Sequence, residues 1–193
     1  DAFVHVAEQY LTTCSDAHVQ DRFAEGLLLT LVEHGPEAVR SKDYTARANL
    51  MWTATMALNG LIGAGVVQDW ATHMIGHELT ARYGIDHART LAVILPAMLL
   101  VRREAKRGKL LQYAERVWGI TTGSEDERID AAIAKTREFF ESLGVPTRLS
   151  AYQIGAEAVP VILGQLEAHG MTGLGERREV TLDVSRAVLE KSL

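Results

Sequence analysis

Apolar residues recur along this chain at helical spacing, and nowhere do they alternate with polar ones over the length of a strand. That pattern restricts the fold to packed helices. A first helix is predicted over residues 2–11, with Phe3, Val6, Ala7 and Tyr10 on one stripe. Ser15-Asp16 breaks it and leads into a second over 18–33, carrying Val19, Phe23, Leu27 and Leu31; Gly35-Pro36 then reads as a turn, or as a stop and restart, before one more turn at 37–40. Residues 43–63 form a long central helix, apolar on nearly every side and so expected to be buried, with Ala54, Ala57 and Gly60 small enough to admit neighbouring backbones. Further helices are predicted over 69–83, 86–104 with a kink near Pro96, 109–118, 124–143, 152–168 and 181–189. Ser124 with Glu127 makes a capping box for the seventh of these. The expected fold is an all-α single domain, a multi-helix bundle of roughly eight helices. No glycine-rich loop follows a strand, so neither a Rossmann half nor a P-loop is expected.

Composition narrows the function classes. With 193 residues, 47% hydrophobic and 23% charged, the chain can bury a substantial core. A net charge of −5 speaks against a nucleic-acid surface. The apolar run 91–101 is well short of the roughly 20 residues that span a bilayer, and 49–67 is interrupted by Asn49 and Asn59, so no membrane partner is expected. The one cysteine, Cys14, excludes an internal disulfide and suits a reducing, cytoplasmic location. The chain opens abruptly on Asp1, in mid-helix by the second turn and without a capping box, as the remainder of a longer protein would.

The chemistry concentrates between Asp69 and Pro96, where His73, His77 and His87 stand in an otherwise mostly apolar window. His73 and His77 are four apart and share a helix face. Gly84-Ile85-Asp86 reads as a helix stop followed by an N-cap, so His87 would open the next helix and point back toward the first. Upstream, Asp1 and His5 repeat the four-residue spacing with a carboxylate and an imidazole. One Asp and two or three His from separate helices can converge on a divalent metal, Fe²⁺ or Zn²⁺. The alternative is that these histidines are unrelated core or surface groups. A zincin is excluded, because its Glu directly follows the first His, whereas Glu78 follows the second. Elsewhere, His18 and His34 are expected to be solvated, His169 to be a helix C-terminal cation, and Cys14 a structural thiol. Glu8 is read as a surface charge in preference to a partner of His5. Arg102, Arg103, Lys106, Arg107 and Lys109 are read as a solvated face.

In their order, Asp1-Ala2-x-x-His5, His73-x-x-x-His77 and Gly84-x-Asp86-His87 resemble the metal-binding half of the iron-dependent (group III) alcohol dehydrogenases. The longer strings DAFVHVAEQYLT, DWATHMIGHELTARYGIDHARTLA and HGMTGLGE are similar to the NADPH-dependent aldehyde reductases and butanol dehydrogenases of that family. The resemblance covers essentially the whole chain. It implies an all-helical metal domain that follows an N-terminal dinucleotide-binding domain not contained here. It places Asp1, His5, His73 and His87 on the metal ligands and His77 beside the nicotinamide, as a proton relay. It implies NADP(H) bound mainly by the other half, a small aldehyde or alcohol as substrate, and a homodimeric intact enzyme. The metal would polarise the carbonyl while the nicotinamide delivers hydride. Trp52 and Trp70 are candidates for the substrate wall, with core packing favoured for Trp52. The rival readings are a metallohydrolase using Glu78 or Glu8 as base and a non-catalytic helical fragment.

Overall fold

The computed structural model describes residues 1–12 and 16–193. Its helices, in order, are α1 (Ala2–Tyr10), α2 (His18–Arg40), α3 (Tyr44–Ala57), α4 (Ala71–Tyr83), α5 (His87–Val101), α6 (Arg107–Arg116), α7 (Glu125–Ser142), α8 (Ala158–Ala168) and α9 (Leu182–Lys191). A 3₁₀ turn covers Leu149–Tyr152. Gly173–Leu174 and Val180–Thr181, β1 and β2, pair as a two-residue antiparallel ribbon. Two residues are too few for alternation to appear in a sequence, which is why no strand was expected there. The readings of Cys14 and Ser15 lie outside the described residues.

The helix that is apolar all round is α5, and it belongs to two cores at once. Leu91, Ala92, Leu95 and Leu99 pack with α1, α2, α6 and α7 around Phe3, Leu28, Tyr113 and Phe140. Val93, Ile94, Ala97 and Met98 pack with α4, α8 and α9 around Ile75, Leu79, Ile162 and Val188. Residues that alternate along α5 therefore face different partners, which a helix can do only when it is enclosed. Pro96 sits inside this helix, as expected.

The buried central helix predicted over 43–63 is a correction. Asp43 caps α3, its carboxylate accepting the Ala46 amide at 2.7 Å, but the helix ends at Ala57. Gln9 Nε2 donates to the Ala57 carbonyl at 2.7 Å, and the Asn59 side chain takes the Leu61 amide at 3.1 Å, so the backbone groups find partners outside a continued ladder. Only Ala46, Thr53 and Ala57 are buried along α3. Tyr44, Met51 and Trp52 stand at the surface, Trp52 with 67% of its area exposed, against the expectation that it packs in the core. The turn predicted at Gly35-Pro36 is also absent. α2 runs on through Pro36, whose missing N–H falls near the helix end, and Gly35 lets the Phe139 ring approach to where a Cβ would stand 3.4 Å away.

The basic cluster is not a solvated face. Lys106 and Lys109 are both buried. Lys109 Nζ donates to both oxygens of Asp21 at 2.6 Å. Lys106 Nζ donates to Asp69 Oδ2 and to the Leu11 carbonyl, each at 2.6 Å, and to Glu176 at 3.2 Å. Burial works to raise Asp69, but the Lys106 ammonium and the hydrogen bonds outweigh it and hold the carboxyl below its ordinary range. Arg103 and Arg107 pair with Asp126 on α7, whose first turn carries the predicted Ser124–Glu127 capping box.

Candidate metal centre

Three helices that share no single core meet at the histidines. α1 brings Asp1 and His5 from one core, α4 brings His73 and His77 from the other, and His87 opens α5, which belongs to both. Gly84, at φ 68°, stops α4, its amide donating to the Thr80 carbonyl at 2.9 Å. Asp86 then precedes α5, though its side chain makes no capping hydrogen bond. Gly76 lets α4 and α5 approach closely: a Cβ there would stand 3.1 Å from both Leu91 and Thr90. The loop that delivers α4 turns at Trp70, in the left-handed region at φ 63°.

Asp1, His73 and His87 each bring a ligand-capable atom into one group, all within 4.8 Å of one another. Asp1 Oδ1 lies 3.7 Å from His87 Nε2. The His5 ring stands edge-on to His73, centroids 4.3 Å apart, with Nδ1 3.3 Å from the Asp1 carbonyl and 3.4 Å from its carboxylate. His5 thus lies against the group without belonging to the tight trio. His77 is exposed, its ring 4.7 Å from His87 and 6.1 Å from His73. Trp70 walls one side, 5.0 Å from the His73 ring. His73 is buried while the Asp1 side chain is 53% exposed, so the cluster opens to solvent on the Asp1 side.

The nitrogens are suited to a cation. His73 Nε2 and His87 Nδ1 are buried without a hydrogen-bond partner, an arrangement that costs free energy unless something accepts their lone pairs. Burial first, and then repulsion from His77, His73 and His5, push His87 down to about 4. Burial, with the neighbouring His73 ring acting in the same direction, likewise lowers His77, and burial lowers His5. Neutral imidazoles beside a carboxylate are the donor set that Zn²⁺ and Fe²⁺ take.

Glu8 is the residue that sequence reasoning misplaced. It is buried, 4% exposed, and its carboxylate takes the amides of Thr72 and His73 and meets the His73 ring at Nδ1. The signal was its spacing: Asp1, His5 and Glu8 fall on one face of α1. Glu78, considered as a hydrolytic base, is buried and paired through Oε1 with Nδ1 of His169 at 2.8 Å, which ties α4 to the end of α8.

An all-helical domain of this shape has known counterparts. The chain belongs to the Fe-containing alcohol dehydrogenase family, whose C-terminal model matches residues 1–192. It is 65% identical over 191 residues to the NADPH-dependent aldehyde reductase YqhD of Escherichia coli, covering 98% of this chain and 49% of that protein. The substrate- and cofactor-free structure of that reductase matches at a TM-score of 0.99 and 63% identity, across 100% of this chain and 51% of that one. The NADH-dependent butanol dehydrogenase A of Clostridium acetobutylicum is 34% identical over 195 residues, covering 100% of this chain and 50% of that protein. The chain thus spans about half the length of the relatives it matches. Among the described residues, no helix is long and apolar enough to cross a membrane.

Proposed function

We propose that this chain is the metal-binding half of an NADP(H)-dependent aldehyde reductase or alcohol dehydrogenase, with Asp1, His5, His73 and His87 as the metal ligands. The observation that carries the proposal is the convergence of Asp1, His73 and His87 around a buried imidazole nitrogen that has no protein partner. When bound, Fe²⁺ or Zn²⁺ supplies polarisation of a substrate carbonyl, and NADP(H), held mainly by the other half of the intact protein, supplies the hydride.

The chain's own residues have separate tasks. Asp1 contributes the negative charge that offsets part of the cation's. His73 and His87 offer neutral nitrogens from two helices, and His5, its ring 4.3 Å from that of His73, stands beside them to complete the set. Their attachment to α-helices fixes the donors' separation before any ligand arrives. His77 stands next to His87 but toward solvent, where it faces the nicotinamide and passes a proton to or from the substrate oxygen through a ring nitrogen. Trp70 bounds the substrate side. The substrate is a small aldehyde or its alcohol, NADP(H) is preferred to NAD(H) as in the reductase of Escherichia coli, and the intact protein works in the cytoplasm as a homodimer.

The test is metal analysis and NADPH-dependent aldehyde reduction on the intact protein and on its His87→Ala variant. About one divalent metal per chain, lost together with activity in the variant, is the expected result. Undiminished metal in His87→Ala removes that residue from the site, and an active metal-free protein removes the proposal.

A further inference from the structure

We infer that Glu8, reaching across from α1, fixes His73 in the tautomer and orientation through which Nε2 serves the centre. The inference rests on the metal-binding role of His73 proposed above. α4 lacks a cap of its own: the residue before it, Trp70, makes no side-chain hydrogen bond to the first turn. The amides of that turn are taken by other carboxylates. Asp69 Oδ1 accepts Ala71 N–H at 2.9 Å, Glu8 Oε1 accepts Thr72 N–H at 2.6 Å, and Glu8 Oε2 accepts His73 N–H at 3.3 Å. The Glu8 main chain joins in, its carbonyl accepting the Asp69 amide at 3.0 Å. Both the backbone and the side chain of Glu8 are thus bonded to the segment that carries His73.

The remaining contact of that carboxylate is with His73 Nδ1. An ionised carboxylate only accepts, and the same two oxygens already accept from two amides, so Nδ1 must bear the hydrogen. A neutral imidazole carries one ring hydrogen. Nε2 is therefore left with its lone pair, and it is Nε2 that lies buried without a partner in the cluster with Asp1 and His87. Neither of the other nearby carboxylates can substitute: Asp1 faces His5 and His87, and Glu78 is engaged by His169. A carboxylate behind a ligating histidine raises the ring's basicity and holds its plane, and removing such a partner typically weakens metal binding about 10–100-fold.

Glu8→Gln separates this role from packing. The amide keeps the shape and can still accept one backbone N–H through Oε1, but its NH₂ is a donor. Placed at His73 Nδ1, that donor selects the opposite tautomer and puts a hydrogen on Nε2. In the intact protein we expect Glu8→Gln to bind Zn²⁺ about 10–100-fold more weakly in competition with a chelating dye. We also expect its Co²⁺-loaded form to show displaced visible absorption bands. Unchanged Zn²⁺ affinity and Co²⁺ spectrum in Glu8→Gln would overturn the assignment. A second measurement needs no variant of Glu8: nitrogen-15 NMR of histidine-labelled, metal-free protein, with the His73 signals identified by their loss in His73→Gln. Nδ1 protonated and Nε2 bare is expected; the reverse pattern overturns the inference whether or not Glu8→Gln folds. A wild-type protein that shows Nδ1 protonated but takes up no metal supports the tautomer assignment and overturns the metal reading.

Discussion

At His87 the folded chain discourages protonation, and this has a calculable sign. The ordinary histidine value of 6.5 applies to the unfolded chain, and about 4 to the folded one. Between those limits the unfolded state binds a proton that the folded state refuses, so stability falls as pH drops through that window and is indifferent to this group above it. Thermal melts of the metal-free protein across the window should show that decline, and His87→Gln should flatten it. An identical slope in the variant would assign the dependence to other groups. His77 has a different expected signature. Exposed and one turn beyond His73, it lies outside the tight trio, so His77→Asn in the intact enzyme should keep the metal while turnover falls by about 10²–10⁴-fold. Loss of metal would make it a ligand, and unchanged turnover would make it structural. The histidines could be picked out beforehand because four-residue spacing and a helix break are local properties. Glu8 could not be placed with the same ease, since a carboxylate's burial depends on α4 docking over it, a contact 64 residues away in sequence.

Among the helices, the exchange of roles between α3 and α5 shows what apolar content does not determine. Both are rich in apolar residues, yet α5 is enclosed by two cores and α3 is covered along one narrow stripe. The seventh helix was legible to its capping box because Ser124 and Glu127 act within one turn. Burial of a whole helix is decided by partners far along the chain. The same holds for Lys106, which looked like one cation of a solvated face and instead closes the start of α4 through Asp69. With both side chains of that pair 5% exposed, Lys106→Met strands a buried carboxylate and should destabilise the protein by about 3–5 kcal/mol in urea unfolding. A loss below about 1 kcal/mol would mean that Asp69 finds other partners, or a proton, at little expense.

For the molecule as a whole, the resemblance and the helical periodicity led to the right fold class, but the periodicity did not reveal that there are two cores. Each core is a set of stripes, and only tertiary assembly sorts stripes into partners. Among the described residues the only sheet is a two-stranded ribbon, with no parallel sheet to carry a dinucleotide, so purified residues 1–193 should not oxidise NADPH in the presence of aldehydes. Measurable oxidation would require a cofactor site within these helices. The seam between the cores carries a further consequence. A cation held by α1 on one side and α4 on the other would be a rivet between two blocks that both pack on α5. Sliding of one block past the other would have to break that grip, so occupancy should slow amide hydrogen exchange in α8 and α9, which carry none of the donors, as well as in α1. The centre would then set how far the two halves of this domain move as one body.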